Sequence, residues 1–239
     1  MSQREIPKII HQIWIGPNKM PRVWMKTFYE DYIKMFPDWK YQLWTEKEIN
    51  NLNMINKDIY NQEPTMWGKA DIARYEILYK YGGVYVDADS VWINNKNLEE
   101  CINEAKYTGL FFGRSQHVAN QVANGVIGAS PSHEFFEKLL NNLTQRYKNL
   151  SHRCEVAVSI GPFYVTEVLK DYKFTLFPAT YFYPSSWGHT EDYEIHKKTP
   201  QPKESFMFQY GYSTNLSIGG NLYNTINKIE TLNEAKSKD

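Results

Sequence analysis

An α/β domain with a mainly parallel sheet and helices on both of its faces is what this sequence predicts. Three observations carry the prediction. Short β-branched runs alternate with stretches of helical apolar spacing, and Gly or Pro punctuates most changes of period. No linker, repeat or low-complexity tract divides the 239 residues, which suits one domain.

Lys8 to Ile15 is apolar and β-branched between Pro7 and Gly16-Pro17, so it reads as a buried strand. Pro21 to Phe36 places Val23, Trp24, Phe28, Ile33 or Tyr32, and Phe36 at helical spacing, and Pro37-Asp38 ends that helix. Trp39 to Trp44 is a second strand. Thr45, with Glu48 three residues on, forms a capping box that starts the next helix. Pro64 to Tyr81 reads as a long helix with a stripe of Met66, Ala70, Ala73 and Ile77, stopped by Gly82-Gly83. Val84 to Val86 is a short strand and Val91 to Ile93 a second extended piece. Asn97 to Ala105 is a helix, Leu110 to Phe112 a strand, and Val122 to Ala129 a strand broken at Asn124-Gly125. His133 to Tyr147 is amphipathic, Gly161-Pro162 opens a helix through Leu169, and Phe174 to Phe177 is a strand ended by Pro178. From Tyr181 the periodicity weakens until the apolar stretch Phe206 to Tyr212, and residues 234–239 read as a frayed tail.

Composition narrows the function. Lys plus Arg equals Asp plus Glu at 27 each, which removes the broad electrostatic reason to bind nucleic acid or an anionic membrane. Aromatic residues reach 15%, an excess that suits stacking on bases and sugars as well as core packing. Cys101 and Cys154 form no CxxC pair and are too few for a disulfide framework, so two free thiols in a reducing compartment are expected. The run Ile9 to Ile15 is too short and polar for a signal or a membrane span, and a cytoplasmic location follows as the expectation.

Ligands of such sheets sit beyond the carboxyl ends of strands. There the chain places Asp87-Ala-Asp89. Two carboxylates at positions i and i+2 of an extended segment share a side and repel unless a cation lies beside them; Mg²⁺ or Mn²⁺, often shared with substrate phosphates, is the natural guest. Asp71 and Arg74, three apart on the preceding helix, share a face. Taken alone they read as an ordinary helix ion pair. His11 reads as a satisfied core group, and Trp24, Trp39, Trp44 and Trp92 as packing before sugar platforms.

The stretch Ile6 to Gly16 around Trp14, then Ala70-Asp71-x-x-Arg74, then Tyr81-Gly-Gly-Val-Tyr85-x-Asp87-x-Asp89, resembles glycosyltransferase family 32. That group includes α-1,6-mannosyltransferase-like and capsule-sugar enzymes, and it shares its core pattern with the clostridial glucosylating toxins. Asn124 to Ala129, Gly161-Pro162 and Phe182 to Pro184 fit more loosely. The resemblance implies a GT-A fold, a nucleotide-sugar donor, Mn²⁺ or Mg²⁺, and transfer with retention of configuration to a glycan, protein or lipid acceptor. A UDP-hexose is the favoured donor and GDP-mannose the other. The donor half would span residues 1–130 and the acceptor side residues 131–233. Carried over by residue, Ile13 and Trp14 would meet the nucleobase, Asp71 and Arg74 the donor sugar, and Tyr85 the nucleotide. Asp87 would touch ribose or sugar and the metal's water, and Asp89 the metal itself. Asn124 would approach the donor sugar. Where relatives carry a histidine and then Ser-Trp, this chain has Gln209, with Ser213 and Asn215 following. Gln209 and Asn215 are therefore the candidate further ligands, Ser213 a diphosphate contact, and Trp187 a rival loop residue over the donor.

Two other readings compete: a non-catalytic nucleotide-sugar or glycan-binding module, in which Gln209 marks a decayed metal shell, and a nucleotidyltransferase. The second lacks a Gly-rich phosphate loop near the first strand. Asp89→Asn is expected to abolish transfer with circular dichroism and unfolding midpoint unchanged. Normal transfer by that variant would remove the metal assignment.

Overall fold

β1 (Ile9–Ile13) is buried on both faces because it lies mid-sheet, between β2 (Lys40–Trp44) and β3 (Gly83–Val86), parallel to each. The computed structural model describes residues 3–149, 160–184 and 200–212, with residues 223, 224, 226 and 228. β6 (Val122–Ala129) runs antiparallel to β3 and to β5 (Leu110–Arg114), and β7 (Thr175–Phe177) closes the six-stranded order β2-β1-β3-β6-β5-β7 parallel to β5. The sheet is mainly parallel, as expected, with β6 reversed. The reversal has a local cause: the link from β5 to β6 is too short for a crossover, so the pair must be a hairpin. β6 is one strand from Val122 to Ala129, but its ladder with β5 is interrupted at the expected place: Phe112 faces Ile127 and the next residue, Gly113, faces Ala123, so Asn124, Gly125 and Val126 bulge out of that pairing. A separate two-stranded ribbon pairs β4 (Ser90–Trp92) with β8 (Met207–Gln209).

The helix expected over 21–36 is α1 (Arg22–Lys26), a π-helical stretch (Thr27–Tyr32) and α2 (Ile33–Met35) in succession, burying Trp24, Phe28 and Tyr32. α3 (Glu46–Asn50) opens with the capping box, Thr45 N–H donating to Glu48 at 3.0 Å. α4 (Lys57–Gln62) is short and was not legible as a helix. α5 (Met66–Tyr81) starts where Thr65 Oγ1 accepts from Gly68 N–H. It packs on β3, β6, α4 and α7 (Glu134–Asn149), so every residue from Asp71 to Leu78 is buried, polar ones included. The expected stripe was therefore too narrow at its centre and too long at its start, because Met66 is 43% exposed. α6 (Glu99–Glu104), α8 (Pro162–Leu169) and α9 (Ala179–Phe182) are further short helices.

Two cores follow from strand alternation. Tyr85 and Phe112 join Tyr75, Phe135 and Tyr164 on one face of the sheet. Their neighbours Val84, Val86 and Phe111 join Ile10, Phe28 and Phe182 on the other. Gly82 and Gly83 make the turn from α5 into β3 at φ 63° and 95°. A Cβ at Gly82 would lie 2.8 Å from Ala129 O, and one at Gly83 2.7 Å from Ile9 O, so only glycine turns here without moving the sheet.

His11 fastens the same corner. Its Nδ1 accepts from Trp44 Nε1 at 3.1 Å, leaving the proton on Nε2, which donates to Gly82 O at 2.9 Å. Burial pushes its pKa down to about 4. The unfolded chain, titrating near 6.5, thus takes up the proton first as pH falls. Stability from His11 is whole above pH 6.5 and drains away towards pH 4, by up to about 3 kcal/mol. Urea unfolding of wild type and His11→Gln should show a stability difference that shrinks across that window; a difference constant with pH would contradict a buried neutral imidazole.

Candidate active site

The chain leaves β3 at Val86 and turns at once, Ser90 N–H donating to Asp87 O at 3.0 Å. The two acidic residues therefore sit in a turn, and turn geometry rather than strand alternation brings their carboxylates together. The turn is held from three sides. Asp87 N–H donates to Gly125 O at 2.8 Å, Gln12 Nε2 donates to Asp87 O at 3.2 Å, and Tyr41 hydroxyl secures Gln12 Oε1 at 2.9 Å.

Arg74 is buried behind the turn. Its Nη2 meets Asp71 Oδ1 at 3.0 Å and its Nη1 meets Asp87 Oδ1 at 3.2 Å. Nη1 also donates to Asn124 O at 2.5 Å and Nε to Ala70 O at 3.3 Å, while the guanidinium lies 4.4 Å from the Tyr85 ring centre. Despite its burial Arg74 is held charged by Tyr85, Asp87 and Asp71. Tyr85 hydroxyl donates to Asp87 Oδ1 at 2.8 Å. Asn124 Nδ2 donates to Asp71 Oδ1 at 2.9 Å and to Tyr75 hydroxyl at 3.2 Å. Asp71 and Asn124 thus lie one layer behind the cleft, gripping Arg74. Burial raises the Asp71 pKa to about 7 against the pull of Arg74.

Asp89 is also buried, and burial with the Asp87 charge beside it raises its pKa to about 7. Its Oδ2 accepts from Tyr212 N–H at 2.5 Å. Gln209, brought in by β8, donates from Nε2 to Asp87 Oδ2 at 2.5 Å and approaches Asp89 Oδ1 at 3.4 Å. Its Oε1 is buried with no donor among the described residues. Two carboxylates beside an unanswered amide oxygen are a donor set that fits a hard divalent cation. No cluster of three His, Cys, Asp or Glu suited to a metal occurs among the described residues, so the set relies on that amide. Ser213, Asn215 and Trp187 lie outside the described residues.

Arg74, Asp87 and Asp89 border a cleft of about 240 Å³, lined also by Ile13, Trp14, Trp67, Tyr85 and Tyr212 among others. Trp14 stacks on Tyr212 at 5.6 Å and donates from Nε1 to Asn18 O at 2.7 Å. Trp24, Trp39 and Trp44 are buried packing groups, as read from the sequence. Trp67 and Tyr212 are site residues that the sequence reading missed. Trp67 had a usable signal: it is a large aromatic off the apolar stripe at a helix start, and it is 41% exposed. Among the described residues no helix is long and apolar enough to cross a membrane.

Residues 21–108 match the family model described as a glycosyltransferase sugar-binding region containing a DXD motif. An uncharacterized glycosyltransferase of Acanthamoeba polyphaga mimivirus is 33% identical over 155 residues, 62% of this chain and 59% of the relative. Inositol phosphoceramide mannosyltransferase 2 of Schizosaccharomyces pombe is 30% identical over 173 residues, 70% of this chain and 47% of the relative. The chain spans about half the length of the curated relatives it matches. The solved PaToxG glycosyltransferase superposes with a TM-score of 0.57 at 20% identity, over 71% of this chain and 70% of that one. A glycosyltransferase involved in glycosylating the major capsid of PBCV-1 does so at 0.51 and 11% identity, over 93% and 99%. These two likenesses show the fold, the GT-A arrangement.

Arg74→Lys retains one charge but loses the fork that bridges Asp71, Asp87 and Asn124. It is expected to cost about 2–4 kcal/mol in urea unfolding. Tyr85→Phe, which removes one hydrogen bond to Asp87, is expected to cost about 1 kcal/mol. Equal losses in the two variants would contradict the central place given to Arg74.

Proposed function

Because this chain belongs to the glycosyltransferases whose sugar-binding region carries a DXD motif, we propose that it transfers mannose from GDP-mannose to a hydroxyl of a saccharide or polar lipid, with retention of configuration. The observation that carries the reading is the convergence of Asp87, Asp89 and Arg74 on one aromatic-walled cleft at the carboxyl end of β3. Relatives named as mannosyltransferases of inositol phosphoceramide favour mannose, and with it a guanine nucleotide, over the UDP-hexose expected from the sequence.

A divalent cation held by Asp87 and Asp89, with Gln209 beside them, would neutralise the donor diphosphate and the charge growing on it as the sugar departs. Trp14, backed by Tyr212, and Trp67 supply aromatic area for the base and sugar. Arg74 is already balanced by two carboxylates, so its work is to hold Asp87 rather than to meet a phosphate alone. Among the described residues, Asp87 and Asp89 are the only acidic groups lining the cleft, and no histidine lines it. Retention by front-face transfer suits that lining, since the leaving phosphate oxygen accepts the proton of the incoming hydroxyl. The donor half, residues 1–130, is completed by Gln209 and Tyr212 from the acceptor-side half.

Calorimetry with GDP and UDP, each with and without Mn²⁺, tests the reading. Mn²⁺-dependent GDP binding, with slow release of mannose from GDP-mannose, is expected. Binding of UDP alone would overturn the choice of donor, and binding of neither nucleotide would overturn the function.

A further inference from the structure

Gln209 is 6% exposed and its two amide ends have opposite fates. The nitrogen lies between two carboxylates, 2.5 Å from Asp87 Oδ2 and 3.4 Å from Asp89 Oδ1. The oxygen is buried without a donor among the described residues. Gly125 walls the same spot: a Cβ there would lie 2.7 Å from Asp87 Oδ2, 3.1 Å from Gln209 Oε1 and 3.2 Å from its Nε2. An N–H₂ group bridging two like charges does weakly what a cation does strongly.

We infer that the Gln209 amide is a reversible ligand: its nitrogen bridges Asp87 and Asp89, and rotation about χ3 turns its carbonyl oxygen to a hard divalent cation that takes the nitrogen's place. Rotation leaves one amide end unanswered in either orientation, so burial does not choose between them. The ion–oxygen contact does, because only the rotated side chain makes it. With two carboxylates and an amide oxygen the protein's donors are all oxygen, which suits Mg²⁺ and Mn²⁺, whereas a histidine here would favour Zn²⁺ or Ni²⁺. The inference rests on the proposed function only in placing the cation at the acidic pair.

Binding of Mn²⁺ alone to the full chain, read by the electron paramagnetic resonance of free Mn²⁺, tests it with three variants. Gln209→Met keeps the bulk and removes both amide ends; it should bind Mn²⁺ roughly tenfold or more weakly. Gln209→Glu keeps an oxygen and should bind at least as tightly as wild type, which separates ligand loss from misfolding. Gln209→His should raise the preference for Zn²⁺ over Mn²⁺ by roughly tenfold or more. Undiminished Mn²⁺ binding by Gln209→Met, or an unchanged ion preference in Gln209→His, would make the amide a mere plug and overturn the inference. GDP calorimetry on the same proteins separates the two claims. Wild type that binds GDP but no Mn²⁺ overturns the ligand assignment and leaves the nucleotide site standing. Wild type that binds neither Mn²⁺ nor nucleotide sinks the proposed function itself.

Discussion

The buried guanidinium of Arg74 is the contact on which the site depends. It joins α5, through Asp71 and Ala70 O, to the β3 turn through Asp87, and to β6 through Asn124 O. Three elements from distant parts of the sequence are thereby fixed relative to one side chain. A buried charge of this kind is tolerated only because its partners converge from several directions. The same burial explains why Asp71 and Asp89 hold their protons more tightly than ordinary carboxyls. The site stores unfavourable electrostatics in the fold, and a divalent cation is the ligand best able to relieve it on the Asp89 side.

Around that contact the backbone is positioned by groups that touch no cleft. Tyr41 and Gln12 reach Asp87 O through the first two strands, and Gly125 O receives Asp87 N–H from β6. His11 and Trp44 fasten the carbonyl of Gly82 at the opposite end of β3. A four-residue strand is too short to place two carboxylates by itself. Its neighbours hold both ends, so the placement of the acidic turn belongs to the sheet.

Much of this was legible in the sequence because the signals were local. The β1 run, the capping box at Thr45 and Glu48, the Gly82-Gly83 stop and the acidic pair each announce themselves within a few residues. What was not legible was set by long-range packing. The reversal of β6 is a property of pairing, although the short link from β5 hinted at it. The burial of Arg74 and Glu76 on α5 defeats an amphipathic stripe, since that helix is enclosed by the sheet and by α4 and α7. Tyr212 shows no motif: its role comes from a backbone N–H on Asp89 and a ring against Trp14, both decided by where β8 pairs.

The pairing of β4 with β8 carries a consequence for how the molecule is made. Asp87 and Asp89 meet partners from 120 to 123 positions later in the chain, among the longest separations in the fold. Contacts of such separation close late, because the intervening chain must be ordered first. On the ribosome, the β1 to β3 segment and its acidic turn emerge well before the strand that bears Gln209 and Tyr212. Until then the two carboxylates face one another with Arg74 and the Tyr85 hydroxyl to moderate them. The acidic turn therefore takes its final arrangement only once β8 has paired with β4, after the strands that precede β8 in the chain have been made.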